Sequence, residues 1–336
     1  MKREVHVVLF GLMTLAVAMA MVASAAQAGP RAKGPWKVFI LAGQSNMEGQ
    51  AVVDLDHEKY YNGGRGTLAH LLRDPAKARL FAHLRTPGGQ WALRDDVWVS
   101  YRTGTGTLKA GKLGIGYTPY PDKHHFGPEL QFGHVIGDHY RQQVLLIKTA
   151  WGGKSLYRDF RPPSSGGRVG PYYTRMLQEV REVLGDLKKR FPAYDGRGYE
   201  IAGFVWFQGW NDMFDKAAAA QYEQNLAHLI RDVRKDLGVP ALPVVIGETG
   251  NAGRMEVRRA QAAVARRAEF RGTVAFVKTG IFLRPAKESP NVGHGHHWFG
   301  NAESYFLIGN GMGEAMKKLL AAAAKNKAGK LPTKAK

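Results

Sequence analysis

Residues 41–50 read LAGQSNMEGQ and follow the apolar run Val38-Phe39-Ile40. The run has the character of a short buried strand. It ends on a serine held between Gln44 and Asn46, with Gly43 and Gly49 on either side. A strand that stops at Gly-x-Ser sets a hydroxyl on a tight turn at the carboxyl edge of a sheet, where open α/β sheets bind ligands. A polar loop can carry the same residues, so the rest of the chain has to decide.

Further apolar runs fall at 144–149, 201–207, 244–247 and 273–277, each without polar alternation, as strands buried on both faces require. Helical periodicity lies between them. Met176, Leu177, Val180, Leu184 and Leu187 form one stripe, and Tyr222, Leu226, Leu229, Ile230, Val233 and Leu237 form another. Residues 254–269 and 308–323 read as further helices. Alternating β and α predicts an α/β fold, a three-layer α/β/α sandwich on a mostly parallel five-stranded sheet. Residues 51–128 break the pattern, being rich in Gly, Tyr, Pro and Lys. They read as an irregular insertion draped near the site.

Residues 1–28 combine a charged start, MKRE, an apolar stretch and Ala26-Gln27-Ala28. That is the pattern of a secretory signal cleaved before Gly29, and an uncleaved anchor is the competing reading. The expected location is secreted or periplasmic, with no integral membrane segment after leader removal. One domain over 29–323 and a basic disordered tail over 324–336 account for the remainder. The chain has no cysteine, so it holds together by packing without disulfides. Its net charge of +20 includes five lysines in the tail, and no nucleic-acid-binding motif accompanies it. A solvated basic surface suited to anionic glycans or a cell envelope explains the charge better.

Four polar clusters follow predicted strands or lie near the end of the chain: Gly43-Gln44-Ser45-Asn46-Met47, the TAWGGKSL block with Gly152-Gly153, the FVWFQGWND block with Gln208 and Asn211, and HGHHWFGNAES. The carboxyl ends of parallel strands share one edge, so the first three clusters converge. Acyl transfer needs a nucleophile, a base and oxyanion donors. Ser45 supplies the hydroxyl and a late histidine the base. The Ser45 N–H, a glycine N–H at 152 or 153, and a side-chain amide of Asn211 or Gln208 supply donors.

Those four blocks resemble the SGNH hydrolase superfamily. The fuller match is to its sialate O-acetylesterase-like branch, which includes the acetylxylan esterases of carbohydrate esterase family six. FILAGQSNMEG, GPELQFG, IKTAWGGKSL, FVWFQGWND and HWFGNAESYFLIGNGMGEAM carry the likeness over roughly residues 36–320. The resemblance implies a flavodoxin-like sandwich, O-acetylesterase activity on carbohydrate, and no metal or other cofactor. By position it makes Ser45 the nucleophile, Gly153 or Gly152 the glycine donor, and Asn211 the third donor, with Gln208 sharing or replacing it. Gln44, Asn46 and Trp210 are expected at the substrate. The superfamily usually places an aspartate three residues before the histidine, and His294 stands there. Spacing favours His297, with His296 second. A backbone carbonyl, Glu303 or Glu248 is left to orient the imidazole, and the base is expected to titrate near the ordinary histidine value of roughly 6.5 unless shifted.

Phe204, Val205 and Trp206 read as strand core, whereas Trp151 and Trp210 stand equally well as core or sugar platform. Glu129 and Asp212 read as structural groups that bond site loops. The histidines, with His124 and His125, lack the spacing of a zinc site. The expected partner is an acetylated carbohydrate. A secreted glycan-binding protein that keeps the fold without turnover is the alternative.

Overall fold

The computed structural model describes residues 34–250 and 253–328. The expected leader and the end of the tail lie outside these residues. Seven strands form the main sheet: β1 (Trp36–Gly43), β2 (Arg94–Arg102), β3 (Leu108–Leu113), β4 (Val144–Ala150), β5 (Tyr199–Phe207), β6 (Val244–Gly247) and β7 (Val274–Val277). Their order is β3-β2-β4-β1-β5-β6-β7. Only β3 runs antiparallel, against β2. Five longer helices are α1 (Glu129–His139), α2 (Pro171–Gly185), α3 (Lys216–Asp236), α4 (Glu256–Arg266) and α5 (Ala302–Ala328).

Strand β1 lies in the middle of the sheet and alternates between two cores, since successive side chains point to opposite faces. Val38, Ile40 and Ala42 pack with Met176 and Val180 of α2, Leu226 and Ile230 of α3, and Val257 of α4. Phe39 and Leu41 pack on the other face with Phe132 and Ile136 of α1 and Tyr305 and Met312 of α5. The fold is therefore the expected sandwich, with two more strands than the five read from sequence.

The extra strands correct the reading of 51–128. A two-residue antiparallel ladder, Ala51–Val52 against His125–Phe126, closes the segment at both ends. Within it, β2 joins β4 in parallel and β3 folds back as the sheet edge. Val97, Val99 and Tyr101 are fully buried, but the charged start of β2 and the lysines of β3 mask the strand signal. Lysine on an exposed edge is how sheets avoid pairing with a second chain. Helix α5 starts before the predicted 308, because Asn301 caps it by accepting the Ser304 N–H at 3.2 Å. It runs to Ala328, past the expected end of the domain at 323, through an Ala-rich stretch of high helix propensity.

One charged residue sits inside β4. Lys148 is fully buried and donates to Glu129 at 2.8 Å and to the carbonyls of Glu48 and Tyr117 at 2.6 Å each. Its three N–H donors are thus all engaged. Glu129 also accepts the Gly127 N–H at 3.1 Å, the loop-bonding role expected of it. Breaking a buried pair by removing one partner costs about 3–5 kcal/mol, whereas an apolar replacement of both is far cheaper. Lys148→Met is expected to lose that much stability in urea unfolding. The double variant Lys148→Met with Glu129→Leu is expected to recover at least half of it. A double variant no more stable than the single one would refute the ion pair as the source of the loss.

Candidate active site

Ser45 opens a single helical turn, Ser45–Glu48, directly after β1. The turn is crowded: a Cβ on Gly43 would lie 2.2 Å from the Phe207 carbonyl oxygen. Gln44 is buried and accepts the Gly209 N–H at 3.2 Å, tying the end of β1 to the end of β5. Asn46 is also buried. Its amide donates to the His296 carbonyl at 3.0 Å and accepts the Tyr305 hydroxyl at 2.6 Å. Both side chains, expected at the substrate, make these internal bonds. They fix the turn.

His297 lies 252 residues from Ser45 and brings its Nε2 to 3.0 Å from the serine Oγ. The chain then takes three successive left-handed residues, Trp298 (φ 47), Phe299 (φ 55) and Gly300 (φ 66). For the two non-glycine residues this costs on the order of 1–3 kcal/mol each and requires support from the surroundings. Trp298 supplies it. Its ring is fully buried, 5.6 Å from Phe207 and 6.3 Å from Tyr305. His296 points elsewhere, its ring 4.0 Å from that of His297 and 5.4 Å from Trp210.

The acids offered as orienting groups are engaged elsewhere. Glu303 pairs with Arg284 at 2.9 Å and with Lys77, and Glu248 pairs with Arg258 at 3.0 Å and accepts the Gly280 N–H. His294, in the position of the usual aspartate, keeps its ring 6.4 Å from that of His297. Burial, then the neighbouring His296 and His294, push the His297 pKa down to about 3. The shift for which the sequence reading left room is thus downward.

The glycine block and the third block meet beside the serine. The Glu48 carboxylate packs against Gly152, where an added Cβ would lie 2.9 Å from Oε2. Gly153, with φ +71, offers its carbonyl to the Asn211 amide. Asn211 is half-buried and retains a second amide hydrogen. Gln208 is buried and has no donor to spare, since Nε2 reaches Asp212 at 2.6 Å and the Lys154 carbonyl at 2.9 Å. Its Oε1 accepts the Tyr222 hydroxyl at 3.0 Å. Asp212 also accepts the N–H groups of Leu156 and Tyr157, so it braces the loop that follows Gly153. Between the two amides the geometry favours Asn211.

Trp210 is half-buried at the rim, with its ring 5.2 Å from exposed Phe214. Trp151, Phe204, Val205 and Trp206 are core. Glu48, Tyr101 and Tyr305 escaped the sequence reading. Glu48 stands inside the GQSNMEG motif, and that was the available signal.

The family model of carbohydrate esterases described as sialic acid-specific acetylesterase matches residues 35–318. The chain belongs to that family. A probable carbohydrate esterase of Arabidopsis thaliana is 26% identical over 220 residues, which cover 63% of this chain and 68% of the relative. The X-ray structure of the same Arabidopsis protein is similar with a TM-score of 0.54 at 20% identity, over 84% of this chain and 98% of that one. A carbohydrate acetylesterase from Xanthomonas citri is similar with a TM-score of 0.50 at 14% identity, over 85% of this chain and 57% of that one. These two likenesses are of fold.

The depressed His297 pKa gives a direct test. Because the shift is downward, the ring is neutral wherever the pH exceeds about 3, and it gains its proton only below that. In histidine ring NMR, the resonances that disappear in His297→Gln should not move between about pH 5 and pH 8. A midpoint near 6.5 for those resonances would show a solvated, ordinary imidazole.

Proposed function

We propose that the chain is an exported serine esterase that removes O-acetyl groups from carbohydrate by Ser–His acyl transfer. The observation that carries this reading is the 3.0 Å contact between Ser45 Oγ and His297 Nε2. In the first half-reaction His297 Nε2 takes the Ser45 proton while Oγ attacks the acetyl carbonyl. The Ser45 N–H, the Gly153 N–H and the Asn211 amide meet the resulting oxyanion. The imidazolium then protonates the sugar oxygen as its bond to the acetyl carbon breaks, so the sugar departs as an alcohol and an acetyl-serine remains. Water, deprotonated by the same nitrogen, releases acetate and restores the serine.

The hydrogen bond between Ser45 Oγ and His297 Nε2 favours turnover over the alternative of a glycan-binding protein that has lost it. Family membership supports an acetylated carbohydrate as the partner. The Trp210 edge at the rim offers a face on which a sugar ring can stack. Export rests on residues 1–28 and predicts a mature chain beginning at Gly29, which N-terminal sequencing of secreted material checks.

Turnover is measured as acetate released from acetylated polysaccharide and as nitrophenol from a short acyl ester. Ser45→Ala is expected to lose several orders of magnitude in rate with its thermal unfolding unchanged, and a serine-directed phosphonate should label the wild type at Ser45. Asn211→Ala should lose about a hundred- to a thousandfold in kcat with little change in KM. An active Ser45→Ala would reject the mechanism. A near-normal Asn211→Ala would remove that amide from the oxyanion site.

A further inference from the structure

Glu48 lies three residues beyond Ser45 and is 6% exposed. A carboxyl in such a place is costly unless donors surround it. Here the Tyr101 hydroxyl donates at 3.0 Å, and Gly152 of the glycine block and the Lys148 ammonium lie nearby. Lys148 separately grips the Glu48 carbonyl oxygen at 2.6 Å, so main chain and side chain are held by different donors. The carboxyl group is therefore immobile.

Its contact with Gly152 is tight. A Cβ on that glycine would lie 2.9 Å from Glu48 Oε2 and 3.8 Å from Ser45 Cβ. Carboxylate, glycine and nucleophile thus meet at one point. Two adjacent glycines have wide conformational freedom, and Gly153 sits at φ +71. Both glycines are in contact with fixed groups: the Glu48 carboxylate packs against Gly152, and the Asn211 amide donates to the Gly153 carbonyl. An oxyanion donor stabilises charge effectively only when its direction is fixed before the charge develops.

We propose that Glu48 is a positioning residue for the oxyanion donor: its carboxylate holds the Gly152 N–H and so fixes the direction of the Gly153 N–H beside Ser45. This inference rests on the serine-esterase reading above. Glu48 itself exchanges no proton with the substrate. Tyr101 supports it from behind, which gives the inserted strand β2 a function at the site. The role requires an acceptor at this position and does not require a negative charge.

That distinction defines the experiment. Glu48→Met keeps similar volume without an acceptor. Glu48→Gln keeps an oxygen for Gly152 and turns its amide nitrogen to Tyr101, whose hydroxyl accepts as well as donates. With a nitrophenyl acetate substrate, Glu48→Met should lose about a hundredfold in kcat with KM within twofold, the size of effect that a misplaced group produces. Glu48→Gln should stay within about tenfold of wild type in kcat, equivalent to about 1.4 kcal/mol of barrier. A Glu48→Met enzyme with normal kcat overturns the proposal. So does a Glu48→Gln enzyme as slow as Glu48→Met, because that pattern belongs to a carboxylate needed for its charge or proton.

If Glu48→Met fails to fold, Gly152→Ala decides, since the added methyl must drive the carboxylate off the N–H. An unchanged kcat there refutes the assignment, and a fall at constant KM supports it. Ser45→Ala is measured in parallel. Its inactivity beside a normal Glu48→Met discards this inference alone, whereas its activity discards the esterase reading.

Discussion

The side-chain amide of Asn46 is the bond on which the site depends. Ser45 and His297 come from opposite ends of the described chain, on elements that share no backbone hydrogen bond in the main sheet. Asn46 is adjacent to the serine and donates to the carbonyl of His296, adjacent to the histidine. Its oxygen is fixed in turn by Tyr305 of α5. One planar group thereby sets the separation of two turns, and helix α5 locks the orientation of that group. A buried amide satisfied at both ends has a single arrangement, and any other leaves a polar atom unpaired in the core.

A second layer of buried polar groups lies beneath the serine turn. Lys148 reaches up from the sheet to the Glu48 carbonyl and sideways to Glu129 at the start of α1. Tyr101 reaches the Glu48 carboxylate from the neighbouring strand. Such a cluster adds little net stability over an apolar core of the same shape. What it does supply is direction, because each partner is satisfied in only one geometry. The serine turn is therefore held from below by charge and from the side by the Asn46 amide, with the cores packed on either face of the sheet carrying the stability.

Much of this was legible in the sequence. Five of the seven strands were visible because each reads as a continuous apolar run, including β7, which lies at the sheet edge and is only partly buried. Ser45 and the glycine block were visible because several polar blocks follow parallel strands whose carboxyl ends share one edge. The β2–β3 hairpin was hidden by the charges that protect its edge, and the start of α5 by a cap that only Asn301 announces. Roles within the site were harder to read. Asn46 looks like a substrate contact, and only its partners 250 and 259 residues away identify it as a brace. Gln208 and Asn211 are equivalent amides in sequence, and the hydrogen bonds that saturate Gln208 separate them. Among three clustered histidines, spacing favoured His297, and the Oγ contact places that residue against the serine.

The missing aspartate divides into two tasks, and the chain replaces only one of them. In a Ser-His-Asp triad the acid orients the imidazole and also stabilises the imidazolium. Orientation here is taken over by the backbone: the His296 carbonyl is tied to Asn46 before the ring, and the buried Trp298 anchors a left-handed turn after it. Stabilisation has no such substitute, because burial and two neighbouring histidines oppose the protonated form. The arrangement keeps a neutral base in place and makes its charged state costly. In the proposed mechanism that cost falls on the tetrahedral intermediate, which must be offset where its negative charge resides. In that mechanism the demand on the oxyanion donors is correspondingly greater than in a triad, and it falls on the glycine pair against which Glu48 packs and to which the Asn211 amide donates.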